Sequence, residues 1–171
     1  MPLVVTERRG SIQIITLNRP KKHNALSPAL CEELTAAFRT AKLDRAVRVV
    51  VVTGAGKTFC AGADLAETLP LRVGVKKPTT PAERLVAVDF ESVLDVVLLR
   101  RFDMDKPVIC ACNGSALAGG LELLLGCDIR VVADDAKFAL PEVSVGLLPA
   151  GGATMRLNKH IPFAIAQEID L

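Results

Sequence analysis

The stretch from Pro107 to Leu125 constrains this chain more than any other. Pro107-Val108-Ile109-Cys110-Ala111-Cys112 is an apolar, strand-like run, and it passes through Asn113-Gly114-Ser115-Ala116-Leu117-Ala118-Gly119-Gly120 into the leucine-rich, helix-like run Leu121-Glu122-Leu123-Leu124-Leu125. Glycines at a strand-to-helix turn let a ligand approach the backbone closely and leave N–H groups free to point at it. Such N–H groups suit an oxygen that becomes negative during a reaction. Glu122 follows about one helical turn later. A carboxylate in an apolar run is expensive to bury unless it is paired or hydrogen-bonded. Glu122 is therefore either a functional group or the wet side of a helix packed closely on a sheet.

The rest of the chain alternates strand and helix signals, which implies α/β layering. Leu3–Glu7 and Ile12–Leu17 are β-rich runs joined by Arg8-Arg9-Gly10-Ser11, a hairpin pattern. A polar loop, Asn18 to Asn24, leads to Ser27-Pro28, a serine cap with proline at the first helical position. Leu30, Leu34, Phe38 and Ala41 recur at helical spacing through about residue 43. Val47–Thr53 is a continuous β-branched run of the kind buried on both faces. Phe59-Cys60-Ala61-Gly62-Ala63-Asp64-Leu65 is a second small-residue turn after a strand, again able to aim backbone N–H groups at a ligand. Residues 66–80 carry prolines and lysines without periodicity and predict a mobile surface loop. Thr80-Pro81-Ala82-Glu83 is a capping box that opens a helix expected to reach about Phe102. Asp128–Ala133 and Ala136–Leu140 are strand-like, Gly146 to Ala153 is a third glycine-rich loop, and Thr154–His160 and Pro162–Ile169 read as short helical pieces.

Composition removes several function classes. The 171 residues fit one domain able to bury a substantial core. A formal charge of +2 is too small to argue for nucleic acid or an anionic membrane. No apolar run reaches the length of a membrane span, and Met1–Gly10 lacks the charged start and apolar stretch of a signal peptide. The five cysteines (Cys31, Cys60, Cys110, Cys112 and Cys127) lack a C-x-x-C spacing and read as buried free thiols in a reducing compartment. His23 and His160 have no partner at ligand spacing, so no metal is expected. Gly56-Lys57-Thr58 imitates the tail of a phosphate-binding loop, but that motif needs a glycine at position 51, which is valine; the segment reads as a plain turn. Ser115 lacks a Gly-x-Ser-x-Gly frame, which disfavours a serine hydrolase. Half of the residues are hydrophobic, apolar enough that some surface is expected to be buried against other subunits.

Taken in order, the pieces resemble the enoyl-CoA hydratase/isomerase (crotonase) family over nearly the whole length. They are Leu17-Asn18-Arg19-Pro20 with Asn24-Ala25-Leu26-Ser27; Phe59 to Leu65; Gly119-Gly120-Leu121-Glu122-Leu123 leading into Cys127-Asp128-Ile129-Arg130; Pro141-Glu142-Val143; and Gly146-Leu147-Leu148-Pro149 continuing to Arg156-Leu157. Each piece alone is weak, and the ordered set is specific. The resemblance implies a single crotonase-like core domain over residues 1–171, an α/β spiral of ββα units. It also implies an acyl-CoA thioester substrate, of which coenzyme A is part, with no separate cofactor. An enolate oxygen would be held by the N–H groups of Ala63 and Gly119, the two turns already singled out. Lys22, Ala25, Ala61, Asp64, Leu65 and Ala66 would flank the CoA, chiefly through backbone, although Asp64 also suits a hydrogen bond within its own loop.

Hydratases of this kind carry glutamates matching Glu122 and Glu142, and both are present. Adding water across an α,β-unsaturated thioester needs a water deprotonated and a proton delivered to the α-carbon, work that two carboxyl groups can share. The resemblance assigns Glu122 to the water and Glu142 to the α-carbon proton, giving a 3-hydroxyacyl-CoA. An enoyl-CoA isomerase working with Glu142 alone, or a non-catalytic acyl-CoA binder, are the alternatives; a dienoyl-type isomerase is disfavoured because position 150 is alanine. Cys60 and Cys112 adjoin the turns and read as small core fillers. Ala118 stands where many family members have a further glycine, and Ala150 and Met155 alter the last loop. Family members continue with helices that build a homotrimer or hexamer and complete the pocket, and these are missing from this sequence. A cytoplasmic location, or an organelle matrix after removal of a targeting segment, completes the expectation.

Overall fold

The computed structural model describes residues 1–170, in which two sheets are built strand by strand in alternation. The larger sheet has five strands in the order β1 (Val4–Arg9), β2 (Ile12–Leu17), β3 (Val49–Gly54), β5 (Val108–Cys112), β7 (Ile129–Val132). Only the β1–β2 pair is antiparallel. The smaller sheet is parallel, in the order β4 (Thr58–Cys60), β6 (Ser115–Leu117), β8 (Phe138–Ala139). Each of β3, β5 and β7 thus hands the chain to its counterpart in the small sheet, and helices follow β4, β6 and β8, the expected ββα spiral. The first two hand-overs are tight. A Cβ on Gly114, between β5 and β6, would lie 2.0 Å from the Lys57 carbonyl oxygen of the preceding hand-over, so only glycine fits.

The helices form where side-chain chemistry caps them. Helix α1 (Pro28–Leu43) begins at Ser27, whose side chain accepts from the Leu30 N–H, and buries Leu30, Leu34 and Phe38 on one face against the sheet. Alternation in β3 is clean: Val50 and Val52 are fully buried, while Val49 and Val51 are half-buried, so the run is not enclosed equally on both faces. The 56–58 segment is the expected turn, with Gly56 at φ +79° and Thr58 already opening β4. All five cysteines are free and buried. Among the described residues, no helix is long and apolar enough to cross a membrane.

Two further expectations are corrected. Residues 66–80 are not a continuous loop: α2 spans Leu65–Arg72, capped by the Asp64 side chain on the Glu67 N–H, with Thr68 and Leu71 buried. Pro70 sits inside that helix, and tertiary burial outweighs the proline's helix-breaking tendency. The helix from residue 81 does not run to 102. It is α3 (Pro81–Val88), opened by the predicted capping box, then α4 (Phe90–Val97), separated at Asp89, whose carboxylate accepts from the Ser92 N–H and caps the second helix. Beyond α4, Leu99 turns the chain with φ +50°. After α5 (Gly119–Gly126), the C-terminal third adds a short 3-10 turn (Pro141–Val145), α6 (Ala153–Arg156) and α7 (Phe163–Asp170).

Candidate active site

The two small-residue turns meet. β4 and β6 are parallel neighbours, and each leaves the small sheet at the same end, one into Ala61-Gly62-Ala63 and the other into Ala118-Gly119. A Cβ placed on Gly62 would come within 3.0 Å of the Gly119 nitrogen, and one on Gly119 would lie 3.8 Å from the Ala63 nitrogen. The first turn is fixed from behind by an isolated parallel bridge between Leu26 and Ala63. Its bonds run from Leu26 N–H to the Gly62 carbonyl at 2.8 Å and from Asp64 N–H to the Leu26 carbonyl at 3.0 Å. These use the groups on either side of Ala63 and direct its own N–H away from the bridge. Gly119 is the first residue of α5, where an N–H has no acceptor within the helix. Both amides therefore belong to turns that can present donors to a ligand, and Ala63 is exposed.

That geometry is held by two side chains of the Leu17–Ser27 motif, Asn24 and Arg19. Asn24 is fully buried with φ +55°; it accepts from the Arg19 N–H at 2.9 Å and donates to the carbonyls of Ala55 and Thr58 at 2.9 and 2.7 Å. It thereby stitches the 18–27 loop to the β3–β4 turn. Arg19 reaches the Ala25 carbonyl at 2.6 Å, Asp64 at 3.0 Å and Glu67 at 2.8 Å. Asp64 is consequently occupied as helix cap and ion-pair partner. Ala118 carries a backbone strain, φ +50° and ψ −128°, in a region that glycine adopts freely and alanine does not.

Both glutamates face the cavity that these turns open. It has a volume of about 230 Å³, and its wall includes Ala61, Ala63, Leu65, Gly119, Glu122 and Glu142 together with an apolar end formed by Val86, Phe90, Leu94 and Val97. Lys22, Ala25, Asp64 and Ala66 are not in this wall; Lys22 lies on the exposed 3-10 turn Pro20–Lys22, and Ala66 is exposed on α2. A wider groove of about 650 Å³ between the 99–107 segment and β7 contains neither turn and neither glutamate.

Glu122 is 4 % exposed and projects from the first turn of α5. Its Oε1 accepts from the Gly151 N–H at 2.6 Å and from the Ala153 N–H at 3.2 Å. Burial pushes its carboxyl above the ordinary range, against the pull of those two donors and of the Arg156 and Arg100 charges. The wet-helix alternative is thereby removed: this carboxyl is buried and aimed inward. Glu142 is half-buried in the 3-10 turn that starts at Pro141. The thiols beside the turns fit core filling, since burial pushes Cys60 up to about 12 and Cys112 is buried with its Sγ donating to the Gly114 carbonyl at 3.0 Å. The role of the Gly151-Gly152 loop as the cradle of Glu122 was not anticipated. Its one sequence signal was the paired glycine itself, because a Cβ on Gly151 would fall 2.3 Å from Glu122 Oε2.

A parallel two-sheet spiral with paired backbone donors and two carboxyl groups on one cavity defines the class. The chain belongs to the enoyl-CoA hydratase/isomerase family, whose model matches residues 7–171. It is similar to the short-chain-enoyl-CoA hydratase of Clostridium acetobutylicum, 36 % identical over 168 residues, covering 97 % of this chain and 60 % of that one. The 2,3-dehydroadipyl-CoA hydratase of Escherichia coli is 34 % identical over 171 residues, covering 100 % of this chain and 62 % of that one. Among solved structures, the enoyl-CoA hydratase EchA1 of Mycobacterium marinum superimposes with a TM-score of 0.80 at 36 % identity, over 99 % of this chain and 61 % of that one. The chain therefore spans about three fifths of the length of these relatives.

Proposed function

We propose that this chain carries the catalytic core of an enoyl-CoA hydratase, adding water across the double bond of an α,β-unsaturated acyl-CoA thioester to give a 3-hydroxyacyl-CoA. The observation that carries the reading is the single cavity into which the Ala63 and Gly119 turns and the Glu122 and Glu142 carboxyl groups all open. In this reading the thioester oxygen accepts from the two N–H groups, which stabilise it more strongly as it becomes an enolate; one such donor typically contributes about 3 kcal/mol to the transition state. Glu122, with Oε1 held by two backbone amides, keeps Oε2 in a fixed direction to orient and deprotonate a water. Glu142 exchanges a proton with the α-carbon. Burial raises the Glu122 carboxyl above its ordinary value, the direction that suits a group exchanging protons with substrate. The apolar end of the cavity takes the acyl chain, while Lys22 and the backbone at Ala25, Ala61, Asp64, Leu65 and Ala66 flank the CoA.

The test is loss of enoyl-thioester absorbance on incubation with crotonyl-CoA. Hydration predicts turnover that Glu122→Gln and Glu142→Gln each slow by a factor of at least about 10². Turnover of a 3-enoyl-CoA that survives Glu122→Gln would instead identify an isomerase working with Glu142. Retention of the thioester without turnover would identify a binder.

A further inference from the structure

Glu122 is not held by its cradle alone, because the cradle is itself tethered. Arg100, just past the end of α4, donates from Nη1 to the Ala150 carbonyl oxygen at 2.9 Å. The other side of that same peptide unit is the Gly151 N–H, which donates to Glu122 Oε1 at 2.6 Å. A peptide unit is planar and trans, so its oxygen and its hydrogen point in opposite directions. One rigid plate thus stands between a guanidinium and a buried carboxyl, with its dipole aligned along the line joining them. Hydrogen bonds arranged in series polarise one another. We propose that Arg100 is a positioning residue for Glu122, fixing the Ala150–Gly151 peptide so that its N–H stays on the carboxylate.

The surroundings of Arg100 suit that task. Its Nε donates to Asp95 at 2.7 Å and its Nη2 to Glu91 at 2.6 Å, so the guanidinium is clamped on two sides and only its third side faces the loop. The side chain is 17 % exposed. A second arginine secures the far end of the same loop: Arg156 donates to the Leu98 and Leu99 carbonyls at 3.0 and 2.6 Å. The loop from residue 150 to 156 is thereby cross-tied to the end of α4 twice, in opposite directions. Both cations also act through space to favour the ionised form of Glu122. Arg156 binds the end of α4 rather than the peptide that touches Glu122, so Arg100 alone carries the direct relay.

The inference rests on Glu122 being the residue that works on water, but its test does not depend on that reading. The carboxyl carbon of Glu122, labelled with ¹³C and assigned by its loss in Glu122→Gln, is titrated by NMR in the full chain without substrate. The groups facing it are Arg100, Arg156 and, across the cavity, Glu142, with Asp95 and Glu91 behind Arg100; only the substituted one changes. In Arg100→Met the titration midpoint of Glu122 is expected to rise by about half a unit or more. It should rise less in Arg100→Lys and not at all in Arg101→Met, which removes an exposed neighbouring charge. A folded Arg100→Met with the wild-type midpoint overturns the proposal. Should that variant not fold, Arg100→Lys decides alone, because one ammonium cannot serve the carbonyl and both acids; an unchanged midpoint there also overturns it. With crotonyl-CoA, Arg100→Met should lower kcat with KM little changed, move the acidic limb of the profile to higher pH, and add nothing in a Glu122→Gln background. If wild type does not hydrate crotonyl-CoA while the midpoints move as stated, the hydration reading fails and the positioning role stands.

Discussion

Glu122 Oε2 occupies the space a side chain at position 151 would need: a Cβ on Gly151 would lie 2.3 Å from that oxygen and 2.2 Å from Leu98 Cδ1. Position 151 is therefore glycine because it wraps a carboxylate, whereas Gly152 beside it serves the bend, with φ +107°. Gly151→Ala should push Glu122 off its donors and lower kcat on crotonyl-CoA by roughly 10²–10³, on the order of what losing one preorganised hydrogen-bond donor costs an active site. Steady-state kinetics check this, with KM expected within a few-fold of wild type.

Glu122 also predicts a pH signature of stability. Burial holds its carboxyl above the ordinary value of 4.5 in the folded chain. Between the unfolded and folded values the native state binds more protons, so stability falls as pH rises through that interval. Glu122→Gln removes the penalty. The variant should gain thermal stability over wild type at pH 7, and the gain should shrink as pH drops to 4. Thermal unfolding at the two pH values checks the sign.

Ala118 makes a different prediction. Its positive φ with extended-negative ψ costs alanine of the order of 1–3 kcal/mol, against about 0.5–1 kcal/mol that glycine loses through unfolded-state entropy. Ala118→Gly should therefore stabilise the fold by about 1 kcal/mol in denaturant unfolding. The opposite change nearby, Gly62→Ala, combines φ +88° with a methyl 2.6 Å from the Ala118 Cβ, and should both destabilise the chain and abolish turnover by wedging the two amide turns apart.

The Arg19–Asp64 pair is nearly buried, with side chains 11 % and 10 % exposed. Removing only the cation leaves a carboxylate in low dielectric, a loss of about 3–5 kcal/mol. Arg19→Met should therefore be much less stable than Arg19→Met/Asp64→Asn, in which the asparagine can still cap α2. The difference between the two in urea midpoints measures the stranded charge.

Much of the candidate site was legible because the chemistry proposed for it calls for residues that look unusual in a row. The two turns that meet at the cavity use Gly62, Ala63, Ala118 and Gly119, and such small-residue clusters stand out after apolar strands. Ser27 and Thr80 announced their helices through local capping bonds. The failures have equally local causes. Pro70 and the neighbouring lysines hid α2, whose stability comes from Thr68 and Leu71 packing on the core. The break at Asp89 was concealed by apolar residues on both sides, although an aspartate three residues before Ser92 would have served as a cap signal. The ties made by Arg100 and Arg156 were not legible, although Arg156 stands in a motif, because their partners lie 50 and 58 residues away and no short pattern encodes such a distance.

The two donor turns leave adjacent strands of one parallel sheet, and hydrogen-bonded strands lie about 4.8 Å apart whatever their side chains. On the proposed reading, the span between the two amides that would hold the thioester oxygen is thus inherited from main-chain pairing. If the chain works as proposed, mutations in the cavity's apolar end would change which acyl group enters without detuning that span, so a lineage built on this scaffold could change diet while keeping its reaction centre in calibration.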